Sequence, residues 1–241
     1  MEIPEWWSAS SSGSPIAANV IHEYVDPIKG LTVLKGEFLF ADPGLFWGTF
    51  DLVRGQDLAH LPDPGLVAPV WMYDANSEFF RAHLALSDLS MPTPEATWRL
   101  GPYFVYLYPK DYLNAFRISI PGLLLVPDAI SMHPIQQVQE WLSQRGLSLD
   151  PFTGITEVRE PVAVRAPAFR STFCRGIVGI DSVYLRINTN EGKVYSEFGY
   201  RGEVLYRITL SDIRVVGRDI ISAKTSWELP RHAVVKDYRD L

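Results

Sequence analysis

Val183-Tyr184-Leu185-Arg186-Ile187-Asn188 runs into Thr189-Asn190-Glu191-Gly192, and Lys193-Val194-Tyr195-Ser196-Glu197-Phe198 follows. Val183, Leu185 and Ile187 alternate with Tyr184, Arg186 and Asn188, which is the period of a strand with one apolar and one polar face. The segment Asn188–Gly192 has turn chemistry, so the second run returns beside the first. Glu203 to Leu210 repeats the pattern, with Val204, Tyr206, Ile208 and Leu210 set against Leu205, Arg207 and Thr209. Strands of this kind belong to antiparallel sheets that are wet on one side. From about residue 155 the chain therefore reads as a β-meander.

Upstream, short apolar runs alternate with proline turns. Leu31–Phe40 stops at Asp42-Pro43-Gly44 and resumes over Phe46–Val53, a hairpin signature. Pro62-Asp63-Pro64-Gly65 precedes a strand over Val67–Tyr73, and Tyr103–Tyr108 and Ala115–Ile120 are further strands by their aromatic and branched residues. Two helices are expected. One covers Ser77–Leu86, with Ser77 as cap and Phe80, His83 and Leu84 on one side. The other starts at Ser131 or His133, carries Pro134 in its first turn and lines Ile135, Val138, Trp141 and Leu142 on one face. Gly146 ends it, and Gln136, Gln137, Gln139, Glu140 and Gln144 form its wet face. The fold class is α+β, β-dominated, with antiparallel sheets and two or three helices.

The charge divides unevenly. Residues 1–150 hold 8 Lys and Arg against 17 Asp and Glu, and residues 151–241 hold 14 against 11, so that −9 and +3 make up the total of −6. Fourteen of the 18 prolines also precede residue 151. Two regions follow: an acidic, proline-rich mixed α/β region over 1–150 and an Arg-rich antiparallel β-meander region over 151–241, either separate or one continuous domain. The asymmetry reads first as two parts held together by opposite charge, and second as a surface for an anionic partner. With 47% hydrophobic residues the chain can bury a core, which excludes disorder. The apolar runs are short: Gly122–Val126, for instance, is stopped by Pro127, far short of the 20 or so residues of a membrane span. The acidic, proline-containing start is not a secretory signal, so the expected compartment is the cytoplasm. Trp6 and Trp7 are expected to dock in a groove of the same protein, and Ser8–Ser14 to form a flexible link.

Compact catalytic signatures are missing from the sequence. His22, His60, His83, His133 and His232 form no metal-ligand spacing, and Cys174 has no second cysteine; no metal and no cofactor is expected. Gly176-Ile177-Val178-Gly179 lacks the residues that cradle a phosphate. What remains is the arginine set Arg159, Arg165, Arg170, Arg175, Arg186, Arg201, Arg207, Arg214 and Arg218, interleaved with Phe169, Phe173, Tyr184, Tyr195, Tyr200 and Tyr206. Guanidinium groups match phosphate and carboxylate, and aromatic faces stack bases. The plainer reading is a solvated sheet face on which these arginines pair with Glu157, Glu160, Glu197 and Glu203.

Tyr200-Arg201-Gly202-Glu203-Val204-Leu205-Tyr206-Arg207-Ile208 is somewhat similar to the glutamate-bearing strand of ADP-ribosyltransferase-type toxin domains. That resemblance implies an NAD-holding arginine, matched by Arg165 or Arg170, and a supporting Ser-Thr-Ser strand, matched by Ser171-Thr172 with Phe173 in the third place. It also implies a late glutamate that activates the acceptor.

The function expected first is a noncatalytic protein-binding module, of the immunity or antitoxin type, neutralising a basic partner. The surface candidates are Arg165, Arg170, Arg175 and Tyr200. The alternatives are an enzyme on an anionic nucleotide-type substrate, with Glu203 or Glu228 as general base, and a structural subunit of an assembly. A protein partner is expected, with nucleotide or nucleic acid as the alternative, and no membrane.

Overall fold

The computed structural model describes residues 2–26, 30–41, 44–54, 67–76, 79–88, 104–113, 117, 120–127, 129–162, 180–226 and 233–240. Along them lie α1 (Glu5–Ser10), β1 (Ile16–Asp26), β2 (Gly30–Ala41), β3 (Leu45–Arg54), β4 (Val67–Ala75), β5 (Phe79–Asp88) and β6 (Phe104–Pro109). After these come α2 (Pro134–Gln144), β7 (Ile155–Pro161), β8 (Ser182–Asn188), β9 (Lys193–Tyr200), β10 (Glu203–Val215), α3 (Arg218–Thr225) and β11 (Val234–Asp237). All eleven strands join one sheet in the order β11-β6-β5-β4-β3-β2-β1-β10-β9-β8-β7. Every neighbouring pair is antiparallel except β11 with β6. The class is therefore α+β and β-dominated, and two meanders, β1–β6 and β7–β10, meet where β1 pairs with β10.

Alternation decides which face each side chain takes. Val183, Leu185 and Ile187 of β8, Val194 and Phe198 of β9, and Tyr206, Ile208 and Leu210 of β10 are buried in one core. Val204, expected on the same face, is instead 36% exposed, because the β9/β10 register shifts between Val204 and Tyr206 and turns it the other way. Phe38, Phe40, Phe46, Phe50 and Phe80 continue the core across β2, β3 and β5. Close approach of β2 and β3 depends on Gly36, where an added Cβ would lie 1.9 Å from the Thr49 carbonyl oxygen.

The core is roofed by α2, by Trp6 of α1 and by an irregular apolar segment containing Ile120, Leu123, Leu124, Leu125 and Val126. A buried stretch outside regular structure must have its backbone polar groups satisfied from elsewhere. Gln137 does so twice, donating from Nε2 to the Leu123 carbonyl (2.6 Å) and accepting at Oε1 from the Leu125 N–H (3.0 Å). Tyr206 Oη donates to the Leu124 carbonyl at 3.2 Å, and Ser196 Oγ donates to that of Leu125. Gln137 is thus a core residue rather than part of a wet helix face. The cap, the opening and the stop of α2 are as expected. His133 caps it by accepting from the Gln136 N–H, Pro134 opens it, and Gly146 follows with φ of +65°.

Three expectations are corrected. Residues 79–88 form β5, not a helix: the Phe80–His83–Leu84 spacing fits a helix locally, but pairing with β4 and β6 on either side overrides it. The cross-strand partners Asp74 and Arg81 form a buried ion pair at 2.6 Å. The stretch Ser8–Ser14 is no loose link, since α1 takes in its first residues. Gln139 donates to the Trp7 carbonyl (2.7 Å), Gln136 to that of Ser10 (2.7 Å), and the His133 ring lies 3.2 Å from the Ser14 carbonyl. Two of the expected solvent-facing glutamines therefore pin the N-terminal segment. Trp6 and Trp7 both pack on the core, as expected.

The opposite, outer face of the sheet is covered in one place only among the described residues. There Ile221 of α3 packs on Ala17, Leu39, Ala41 and Trp47. The C-terminal carbonyl of α3, on Thr225, accepts from Arg81 Nη2 at 3.1 Å. The strand expected over 115–120 lies mostly outside the described residues, and Arg117 and Ile120 are in no strand.

Candidate functional site

Beyond α3, the outer face of β7–β10 carries a cross-strand row of charged and aromatic side chains. Register places Arg159 of β7 beside Tyr184 of β8, Tyr184 beside Glu197 of β9, Glu197 beside Arg207 of β10, and Arg207 beside Glu23 of β1. The side chains engage along this row. The Arg159 guanidinium lies 5.1 Å from the Tyr184 ring centroid, and Tyr184 meets Tyr195 edge-on at 5.5 Å. Tyr195 Oη donates to Glu197, whose Oε2 also accepts from Arg207 Nη2 (3.1 Å), while Arg207 Nη1 reaches Glu23 Oε2 at 3.3 Å. In the next row Arg186 Nε is 3.2 Å from Glu157 Oε1. Partial burial, then the hydrogen bond to Glu197 and its charge, push the Tyr195 phenol up to about 12. Burial, followed by the charge of Glu157, also raises Tyr184. Both phenols stay protonated at neutral pH, so neither serves as a base there.

At the end of this row is a shallow depression of about 110 Å³ lined by Arg159, Ser182, Tyr184, Glu197, Gly199 and Glu203, among others. Glu203 stands opposite Tyr200 across a tight turn, where Arg201 and Gly202 take φ of +52° and +82°. The Arg201 guanidinium covers the Tyr200 ring at 5.1 Å. The structure therefore brings Tyr200 and Glu203 side by side, and of the two it is Glu203 that lines the depression. Arg165, Arg170 and Arg175, with Ser171, Thr172 and Cys174, lie outside the described residues, as does Glu228. Glu203 is exposed and enters no ion pair with Arg159, whose guanidinium, among the described residues, lies over the Tyr184 ring.

Chemically, the row combines one compensated cluster, Arg207 with Glu197 and Glu23, with tyrosine rings that contact Arg159 and each other. A guanidinium, a hydroxyl and a carboxylate line one depression, but no hydrogen bond joins Arg159, Ser182 and Glu203. Among the described residues no group of three or more His, Cys, Asp or Glu could hold a metal ion, and no helix is long and apolar enough to cross a membrane. The arginine pairing expected from the sequence holds for Arg186 with Glu157 and for Arg207 with Glu197, while Glu160 pairs with Arg145. Two further pairs, Glu23 with Arg207 and Glu37 with Arg214, link acids of the first 150 residues to arginines of the remainder. Glu23 carries no local mark of this role beyond the alternation of Ile21 and Glu23 with His22 and Tyr24, since its partner Arg207 lies 184 positions away. No protein-family model matches the chain, and no curated protein is similar to it.

Proposed function

We propose that this chain is a noncatalytic protein-binding module, of the immunity or antitoxin type, which neutralises a basic partner protein: the net −9 of residues 1–150 draws the partner in, and the side chains held on the outer face of β7–β10 supply anchors. The observation that carries this reading is the held row Arg159–Tyr184–Glu197–Arg207 beside its depression. Tyrosine and arginine anchor interfaces out of proportion to their number. Ordering each long side chain on binding costs about 0.5–1.5 kcal/mol, and here stacking and hydrogen bonds have already imposed most of that order in the free protein. The net charge of −6 favours encounter with a basic partner.

Affinity capture with the full chain, followed by calorimetry on whatever is retained, tests the reading. Wild type should retain a basic protein whose affinity falls with added salt and drops at least tenfold in Tyr184→Ala and Arg159→Ala. Retention untouched by both substitutions, or no retained protein at all, counts against it.

A second reading, an enzyme on an anionic nucleotide-type substrate, draws on Glu203, Arg159 and the Tyr184 ring sharing one depression. Thermal stabilisation by NAD, a nucleotide or an oligonucleotide that disappears in Arg159→Ala, with turnover lost in Glu203→Gln, would favour it over the first.

A further inference from the structure

On the core face of β1, His22 is 2% exposed, and neither ring nitrogen has a hydrogen-bond partner. Its ring lies 4.5 Å from that of Tyr206 on β10 and 5.0 Å from that of Tyr24. Its cross-strand neighbours are Ile208 of β10 and Leu34 of β2. Among the described residues the titratable groups on this side are phenols: Tyr24 on its own strand, Tyr206 on β10, and Tyr73 of β4, which feels Tyr24. β2 contributes Leu34 and Thr32, β9 contributes Phe198 stacked on Tyr206, and the irregular segment contributes the Leu124 carbonyl, which Tyr206 occupies. Glu23 and Arg207 are adjacent in sequence or register but belong to the outer face. A neutral imidazole survives in such a place. An imidazolium brings a charge and a second N–H donor, and among the described residues neither ring nitrogen has a partner and no carboxylate lies on this side. Burial accordingly holds the His22 ring far below the usual histidine range, at about 3.

The position of His22 gives this a structural consequence. β1 is the strand at which the two meanders meet. Its ladder to β2 is unbroken from Ile16 opposite Phe40 to Asp26 opposite Gly30. Its ladder to β10 is shorter and loses register between Ala17 and Asn19, close to Asp212 at φ of +52°. On the outer face that seam is bridged by Glu23 with Arg207 and by Glu37 with Arg214, pairs that weaken when carboxylates protonate.

We propose that the β1/β10 seam is an acid-labile joint with His22 as its trigger: a proton can be held on the imidazole only once water reaches it, and water enters along the shorter, interrupted ladder, freeing β7–β10 from β1–β6. The open form binds the proton at the ordinary histidine value of 6.5, and the closed form resists it down to about 3. The closed form is therefore at full strength above pH 6.5, and the closed-to-open ratio falls about tenfold per pH unit below that, about a hundredfold by pH 4.5.

Amide hydrogen exchange of the full chain between pH 7.5 and 4.5, corrected for the pH dependence of intrinsic exchange, reads this directly. Peptides from β1 and β10 should lose protection below pH 6.5 while those from β2 and β3 keep theirs, and His22→Phe should remove the step. Glu23→Gln with Glu37→Gln should leave a step at the same pH. The proposal fails if β1 and β10 stay protected to pH 4.5, if all strands lose protection together, or if His22→Phe shows an unchanged step. Should that variant not fold, the imidazole resonances of wild type decide: titration of His22 near 6.5 with β1/β10 protection intact overturns the joint.

Discussion

β2 and β8 belong to one sheet, yet their residues are buried in different patterns. Along β2, Phe38, Leu39, Phe40 and Ala41 are all buried, because the core takes one face and α3 takes the other. Along β8, Val183, Leu185 and Ile187 are buried, and Tyr184 and Arg186 between them face outward. The first region reads as a continuous apolar run and the second as strict alternation. An eight-residue helix laid on β1–β3 is enough to make the difference, and it leaves the outer face of β7–β10 to hold charge and aromatic rings instead.

If that contrast is right, Phe38→Ala should be the most damaging of the changes considered, destabilising by about 3–5 kcal/mol in urea unfolding. Tyr184→Ala should cost less than about 1 kcal/mol; equal costs would mean that the outer face is not solvated. Asp74→Ala comes next. It takes from Arg81 a carboxylate at 2.6 Å in a site where both side chains are nearly fully buried, and should cost about 3 kcal/mol. A loss below about 1 kcal/mol would show the α3 side of the sheet to be wetter than its burial indicates.

Third is pH. His22 is held neutral in the folded state and protonates near 6.5 in the unfolded one, so stability is complete above 6.5 and declines below it. Lowering pH from 7 to 5 should remove about 2 kcal/mol from wild type and markedly less from His22→Phe, as followed by thermal melts. Smallest of all, Arg186→Ala should change stability by about 0.5 kcal/mol and lose even that in high salt, since both partners in its pair with Glu157 are about half exposed. A larger, salt-independent effect would place that pair inside an interface.

Much of the strand pattern could be read from periodicity, and the reasons for the failures are specific. Gln137 sits among other glutamines at a position that looks wet, and its burial becomes visible only once the 120–127 segment lies over it. Residues 79–88 carry an apolar spacing that suits a helix about as well as a strand, and non-local pairing with β4 and β6 settles the matter. In β1 the change from two-sided to one-sided burial blurs the alternation over Ile16–Val20, so the strand at which the two meanders meet left little mark in the sequence. Of the candidate site, Tyr200 and Glu203 were legible, and their proximity follows from the turn between them. The joining of Arg159, Tyr184, Glu197, Arg207 and Glu23 into one row was not.

By itself the sequence determined the fold class, the C-terminal meander, helix α2 with its cap and its stop, and the docking of the N-terminal tryptophans. These depend on interactions between residues near one another along the chain, or on an apolar face that must be buried somewhere. Only the tertiary structure decided that β1 pairs with β10, that His22 is sealed between two tyrosines, and that acids of the first 150 residues pair with arginines of the last 91. Each of these joins residues nearly two hundred positions apart, or sets a side chain against neighbours that only the assembled sheet supplies, and no local periodicity encodes such a meeting.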